Sequence, residues 1–363
     1  MRLLPIWKTC KARACLFALA AAAGCCQAAP PPDVPSSKLF FTTDNASLRA
    51  GRQVSGSVVQ RMVDRLVMRA TGKPTVAEAW RSLVNKKDRV GIKVAASGGP
   101  VSGTNPEVVD AIVAGLTEAG IPPSQIIVWD RNLRDLIAAG YRKDGSRYQL
   151  RWVDPVKGYD IKSQVTAPLL GKLIWGDSGF GNKSGTRVVD FLGTGDQLSS
   201  KSYYSNVLSK EVTKIINVPS LADSFLTGVN GALANMVLPN LDNWRRFTRA
   251  PFYGDPYLAE IYADAMIHDK VVLTIMDGLV LQYAGGPFAN PGFLLDNFTI
   301  YASRDPVAID AMAARLLDEA RSPSKLPAIA PMTLWLESAH AAGLGNAKED
   351  KIELIRVSDD GLR

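Results

Sequence analysis

A lysine inside an apolar run, aspartates at the ends of others and one glycine-punctuated stretch are where this sequence could do chemistry. Lys93 interrupts VGIKVA, Asp130 closes IIVWD, Asn217 closes VTKIINV and Asp277 follows VVLTIM. A charge within an apolar strand needs a partner or an edge. Lys93 is therefore read as a ligand contact or as a strand-end lysine that pairs or snorkels. An aspartate at a strand end forms turns and caps as readily as sites. From Asn217 the chain reads NVPSLADSFLTGVNGALANM, in which Asp223 is the one charged residue. Strand, glycine loop and helix start are how α/β proteins build ligand sites at strand carboxyl ends. Lys93, Asp130, Asp223 and Asp277 are the catalytic candidates. Lys93, Asn217, Asp223, Gly228, Asn230, Gly231, Asn235 and Asp277 are candidate ligand contacts.

Three further pieces belong with them. The loop AASGGPVSG, with Ser97, leads through Thr104 to a helix start at TNPE, an end that favours anions through its free N–H groups. It matches neither GxxxxGK[ST] nor GxGxxG, so it is no nucleotide signature. Gly285, Gly286 and Pro287 form a tight loop after a strand. In DPVAIDAMA, Asp305 and Pro306 are what a helix start needs, and Asp310 lies beside the apolar stripe.

Several chemistries are excluded. All four cysteines (Cys10, Cys15, Cys25 and Cys26) lie in the first 26 residues, so the body has none. That rules out an internal disulfide framework, an Fe–S cluster, zinc thiolates and a cysteine nucleophile there. His268 and His340 stand alone, each read as a surface or satisfied helix histidine, and no GxSxG elbow exists. Transition-metal centres are not expected. Oxygen ligands leave Mg²⁺ or Ca²⁺ as the cations such a site could hold. The formal charge of +7 does not mark a nucleic-acid protein. Arg2, Lys8, Lys11 and Arg13 supply four of those charges, and no basic stripe with interleaved aromatics follows.

The elements that must position these residues read clearly over most of the chain. Its 363 residues, 47% apolar and 21% charged, suit a large soluble core. VVQRMVDRLVMRATG repeats apolar residues at helical spacing, and Thr75–Glu78 is a capping-box pattern opening a second helix. RVGIKVA, a helix after TNPE and IIVWD make a strand–helix–strand unit, which implies parallel pairing. YQLRWV, VTKIINV, KVVLTIMDGLV, FTIYAS and KIELIRV are further strands. Between them run helices at DLIAAGY, near Gly231, at DPYLAEIYADAM, from Pro306 and at TLWLESAHAAGLG. The expected fold is α/β: a mostly parallel or mixed sheet with helices on both faces, and an irregular, hairpin-bearing excursion mid-chain.

The amino end carries a basic n-region, the apolar core CLFALAAAAG and small residues at CCQAAP, a Sec-type signal peptide of about residues 1–28. The core is too short to span a bilayer, so the mature chain is expected to hold no transmembrane helix. AAGC resembles a lipoprotein box, with lipidation of Cys25 the alternative to a free form. Residues 29–55 read as a Pro/Ser-rich tether and 56–357 as a single body. Its lobes are about 56–155 and 211–357, around an excursion at 156–210.

The order of RVGIKV, TNPEVVDAIVAGLTEAGIPPSQIIVWDR, INVPSLADSFLTGVNGALANM, DKVVLTIMDGL, GGP, SRDPVAIDAMA and AAGLG resembles the family of uncharacterised proteins called DUF362. Membership implies no known reaction. Some relatives are fused to ferredoxin-like clusters, which implies redox partners, but this chain has no cysteines for one. The family pattern has lysines where this chain has Ala222 and Ala234, and histidine where it has Ser224. It also has Asn at Ala95 and a basic residue or His at Asn105. Asp223, Gly228, Gly231 and Asn235 keep the pattern. Lost cations and a lost imidazole remove the groups suited to acid–base work. Two readings follow: an exported protein binding a small anionic ligand with altered or lost catalysis, or an enzyme on a small anionic substrate, redox-linked or not.

Overall fold

The computed structural model describes residues 35–142, 147–166 and 201–358. The expected signal peptide, Cys25 and residues 167–200 of the 156–210 excursion lie outside them. In chain order the first strand is β1 (Ser37–Thr43), followed by helices α1 (Gly56–Thr71) and α2 (Val76–Arg81). Next come β2 (Val90–Val94), α3 (Gly99–Ser102), α4 (Pro106–Glu118), β3 (Ile126–Asp130), α5 (Leu133–Ala138) and β4 (Gln149–Trp152). β5 (Tyr159–Thr166) and β6 (Lys201–Ser205) flank the excursion and pair antiparallel as a separate two-stranded sheet. The chain continues with β7 (Lys214–Val218), β8 (Ser220–Ser224), β9 (Gly228–Val229), α6 (Ala232–Val237) and α7 (Tyr257–Tyr262). β10 (Val271–Gln282), β11 (Leu294–Ser303), α8 (Pro306–Arg321), α9 (Trp335–Ala341) and β12 (Ile352–Arg356) complete it.

The sheet is mixed and ten-stranded, in the order β12-β1-β11-β10-β7-β2-β3-β4, with β8 against β10 and β9 against β8. β10, β7, β2, β3 and β4 run parallel, as the strand–helix–strand reading expects, whereas β11 is antiparallel to both its neighbours. Alternate residues enter two cores. Val90, Ile92, Val128, Ile216 and Leu273 face α1, α2 and α4. Ile127, Trp129, Ile215, Met276 and Tyr301 face α6, α7, α8 and α9. Both faces are covered, which is why the strands read as unbroken apolar runs.

Two expectations need correction. Within the 29–55 tether, Ser37–Thr43 is a strand of the sheet: SKLFFTT alternates Leu39 and Phe41 toward one core and Phe40 toward the other. Seven alternating residues inside Pro/Ser-rich surroundings give little sequence signal. The stretch after Asn217 is also not a loop at first. Pro219 bends the chain, and Ser220–Ser224 pairs with the far half of the twelve-residue β10.

Candidate functional site

The carboxyl ends of β2, β3 and β7 meet at Lys93. Register sets Lys93 beside Asn217 on one side and Trp129 on the other, on the face toward α6. Its side chain is 0% exposed, and its ammonium donates to Val94 O (2.7 Å), Asp130 Oδ1 (2.8 Å) and Asn235 Oδ1 (3.0 Å). Three donors meet three acceptors, so the lysine is fully satisfied. Burial pulls its pKa below the ordinary lysine value, and the Asp130 charge opposes that pull. Asp130 also accepts from the backbone N–H groups of Ala96 and Arg131, which ties β2 to β3. Asn235 donates to Asn217 Oδ1 (2.8 Å), and Asn217 donates to Ala232 O (2.9 Å), which fixes α6 to β7.

In front of this network lies a cavity of about 580 Å³. Ala95 and Ser97 after β2, Asp130–Asn132 after β3, and Ser224–Leu226 with Asn230 around the β8–β9 turn form part of its wall. Ala234 and Asn235 of α6, the Trp244–Arg249 turn and Pro287–Phe288 form the rest. The arginines are placed by short, well-anchored pieces. In Arg245–Phe247, a 3₁₀ turn, Phe247 and Arg246 point inward and Arg245 outward. Phe247 packs against Tyr257 with ring centroids 5.5 Å apart. Arg131 donates to Leu241 O (2.6 Å), and Trp244 takes Arg131 and Arg245 over its ring at 5.8 and 4.9 Å. Arg131, Arg245 and Arg249 thus share the wall with two carboxylates, Asp130 and Asp135. Asp130 already answers Lys93, which leaves three guanidinium groups against Asp135 on the wall itself, with Asp242 acting on Arg131 from outside it.

Of the residues singled out by sequence, Ser97, Asp130, Asn230 and Asn235 line this cavity, and Lys93 and Asn217 stand directly behind Asn235. The others are used elsewhere. Asp277 does not meet Lys93. It accepts from the N–H and the side-chain amide of Asn105 (2.7 and 2.9 Å), at the amino end of α4, and burial raises its pKa to about 6. Thr104, expected to cap that helix, bridges Ala95 N and Val218 O, and Asn105 is the cap residue. Asp223 accepts from Gly286 N (2.7 Å) and lies 3.8 Å from Arg321. Neither carboxylate pairs with Lys93, whose partner is Asp130.

The glycines have internal reasons. A Cβ at Gly231 would sit 2.0 Å from Asp310 Oδ1, and one at Gly286 would sit 2.0 Å from the Asp223 carbonyl oxygen. Gly228 (φ +75°) and Gly285 (φ +84°) hold left-handed backbone, which suits glycine. Asp310, wholly buried on α8, accepts from Leu233 N (3.0 Å) and from Ala232 N, capping α6, and burial lifts its pKa to about 7. Asp305 caps α8 through Val307 N and Ala308 N, both at 2.8 Å. His268 is exposed beside Asp269, and His340 bonds Gly345 O at 2.9 Å. Among the described residues no group of three or more His, Cys, Asp or Glu side chains could hold a metal, and no helix is long and apolar enough to cross a membrane.

Sequence reading missed Arg131, Trp244, Arg245, Arg249, Phe225 and Phe288. A signal existed for some: Arg131 directly follows a strand end, and NWRRFTR sets a tryptophan among three arginines.

The fold and site define an α/β protein with a cationic, partly aromatic cavity at the carboxyl edge of its parallel strands. Residues 184–315 match the family model described as "Domain of unknown function (DUF362)", the family that the motif order resembles. The matched range takes in INVPSLADSFLTGVNGALANM, DKVVLTIMDGL and SRDPVAIDAMA, and thereby β7 through the start of α8. The crystal structure of a Thermotoga maritima protein, a structural-genomics target, is similar at a TM-score of 0.37 and 10% identity. The alignment covers 75% of this chain and 59% of that one. No curated protein matches.

Proposed function

We propose that this protein binds a small anionic molecule in the cavity at the strand carboxyl ends, with altered or lost catalysis. The observation that carries the reading is the wall itself, where Arg131, Arg245 and Arg249 outnumber Asp130 and Asp135, and Asp130 is paired with Lys93. Guanidinium groups suit carboxylate, sulfonate and phosphate oxygens by their paired donors. Three of the positions that depart from the family pattern, Ala95, Ser224 and Ala234, also border the cavity. The places where the pattern has Asn, His and Lys thus converge on one space, and here they are small.

The second reading, an enzyme acting on a small anionic substrate, draws on Asp130, a carboxylate on the wall held by a buried lysine. All three hydrogens of that lysine are engaged, which favours a positioning role over proton transfer. Export through the amino-terminal signal, with or without a lipid on Cys25, is proposed on the residue pattern alone.

The test is calorimetric titration of the mature chain with inorganic phosphate and sulfate. Arg249→Gln should weaken binding about tenfold, the worth of one charge-assisted bond. Ala234→Lys with Ser224→His should strengthen it by a similar factor. No heat with either anion at millimolar concentration, or indifference to all three changes, would overturn the reading.

A further inference from the structure

The cavity wall opposite in character to the arginines is apolar, and its two largest members are left uncovered. Phe225 and Phe288 are 56% and 59% exposed, although both line the cavity. Large aromatic side chains held half out of the protein at the mouth of a concave site are unusual on a bare surface, where each leaves ring area in water. They are not on loose ends. Phe225 N donates to Gly286 O (3.1 Å), Gln282 donates to Phe288 O (2.9 Å), and Ser97 donates to Pro287 O (3.1 Å). Asp223 holds Gly286 N from the other side at 2.7 Å. The two phenylalanine-bearing loops are therefore tied to each other and to the loop after β2. Leu226, Leu238 and Pro239 add to the apolar lining.

Resting on the anion-binding reading above, we infer that the ligand is an anion carrying a flat apolar ring body. Its charged group lies toward Arg131, Arg245 and Arg249, and its ring against Phe225 and Phe288. A bare inorganic anion would use the guanidinium side and leave the aromatic side wet. A neutral ring would make no use of the guanidinium side. A space of about 580 Å³ falls within the range of small-molecule pockets and exceeds what a single oxyanion fills. The uncharged polar groups of the lining, Ser97, Ser224 and Asn230, can orient a ligand of this kind without supplying charge.

Three probes separate the halves: 2-naphthalenesulfonate, methanesulfonate and 2-naphthalenemethanol, each titrated calorimetrically into the mature chain. The expected order places naphthalenesulfonate at least about tenfold tighter than either of the others, because burying one ring face and making one ion contact are each worth about that factor. Phe225→Ala and Phe288→Ala should each weaken naphthalenesulfonate about fivefold or more and leave methanesulfonate within about twofold. Both side chains are exposed, so neither change threatens the fold. Methanesulfonate binding as tightly as naphthalenesulfonate, with no effect of either phenylalanine change, would overturn the ring-bearing ligand while leaving anion binding intact. Naphthalenemethanol binding as tightly as naphthalenesulfonate would overturn anion binding itself.

Discussion

Replacing Lys93 by methionine tests how the carboxyl edge of the sheet is held. The ammonium is 0% exposed and donates at 2.7, 2.8 and 3.0 Å to a carbonyl, a carboxylate and an amide oxygen. Methionine keeps the volume and removes all three bonds. Asp130, whose side chain is 9% exposed, then keeps only the Ala96 and Arg131 backbone donors, and Asn235 Oδ1 loses its donor. Breaking a buried pair by removing one member costs about 3–5 kcal/mol, since the remaining charge stays desolvated. Asp130→Asn in the same chain removes that stranded charge. The double variant should therefore be more stable than the sum of the single changes predicts, by about 1–3 kcal/mol. Urea denaturation of the four proteins at neutral pH supplies the cycle. Lys93→Met within about 1 kcal/mol of the parent, or strict additivity, would refute the account of Lys93 as the counter-charge of Asp130. Because Asp130 borders the cavity, the single variant should also bind phosphate more weakly, with an uncompensated carboxylate now on the wall.

Gly231→Ala drives a methyl against the Asp310 carboxylate, 2.0 Å from Oδ1, and should cost about 1–3 kcal/mol, read as a lower melting temperature. Asp310 is raised to about 7 against an ordinary 3.8, so the folded chain holds its proton through a window in which the unfolded chain has lost it. The stability this group contributes is full at low pH and falls as pH rises from about 4 to 7. Asp310→Asn should thus destabilise more at pH 5 than at pH 7.5. A penalty that is flat across that range in urea titrations would contradict the raised pKa. Mass spectrometry of cell-envelope material should find a chain starting between Cys25 and Pro30, and an intact Met1 on cytosolic protein would end the export proposal.

Buried strands and long helices were legible because each writes one period in its apolar residues. The β2–α4–β3 unit is the clearest instance, since its strands are covered on both faces. The strand-end rule also led to Ser97, Asp130, Asn230 and Asn235, because the chain must leave a parallel sheet there. It misled at Asp277, Gly231 and Gly286. A carboxylate closing a helix end from another element, or a glycine making room for that carboxylate, has the same local sequence as a ligand contact. The difference lies in which distant residue arrives: Asn105 at Asp277, Asp310 at Gly231 and Asp223 at Gly286. The arginines of the 243–249 turn were hidden for another reason. A single 3₁₀ turn has no periodicity, so nothing local says which of Arg245, Arg246 and Arg249 faces a cavity and which is buried against Phe247.

The position of β1 sets how the molecule can be shortened. It lies inside the sheet, antiparallel to β11 and parallel to β12, so its neighbours come from the far end of the chain. Leu39 pairs with Ser303 and Leu354 across sequence separations that span most of the protein. Clipping residues 35–43 would not peel away a border; it would open a gap and strand β12 without any partner. Among the described strands β12 docks only on β1, so closure of this edge must wait until residues 37 to 356 are all available. Contacts of such range are the slow ones to form. β12 and β1 run parallel, so a permuted chain that joins them needs a crossover linker of about a dozen residues or more; it should fold faster than the parent and still present the same cavity.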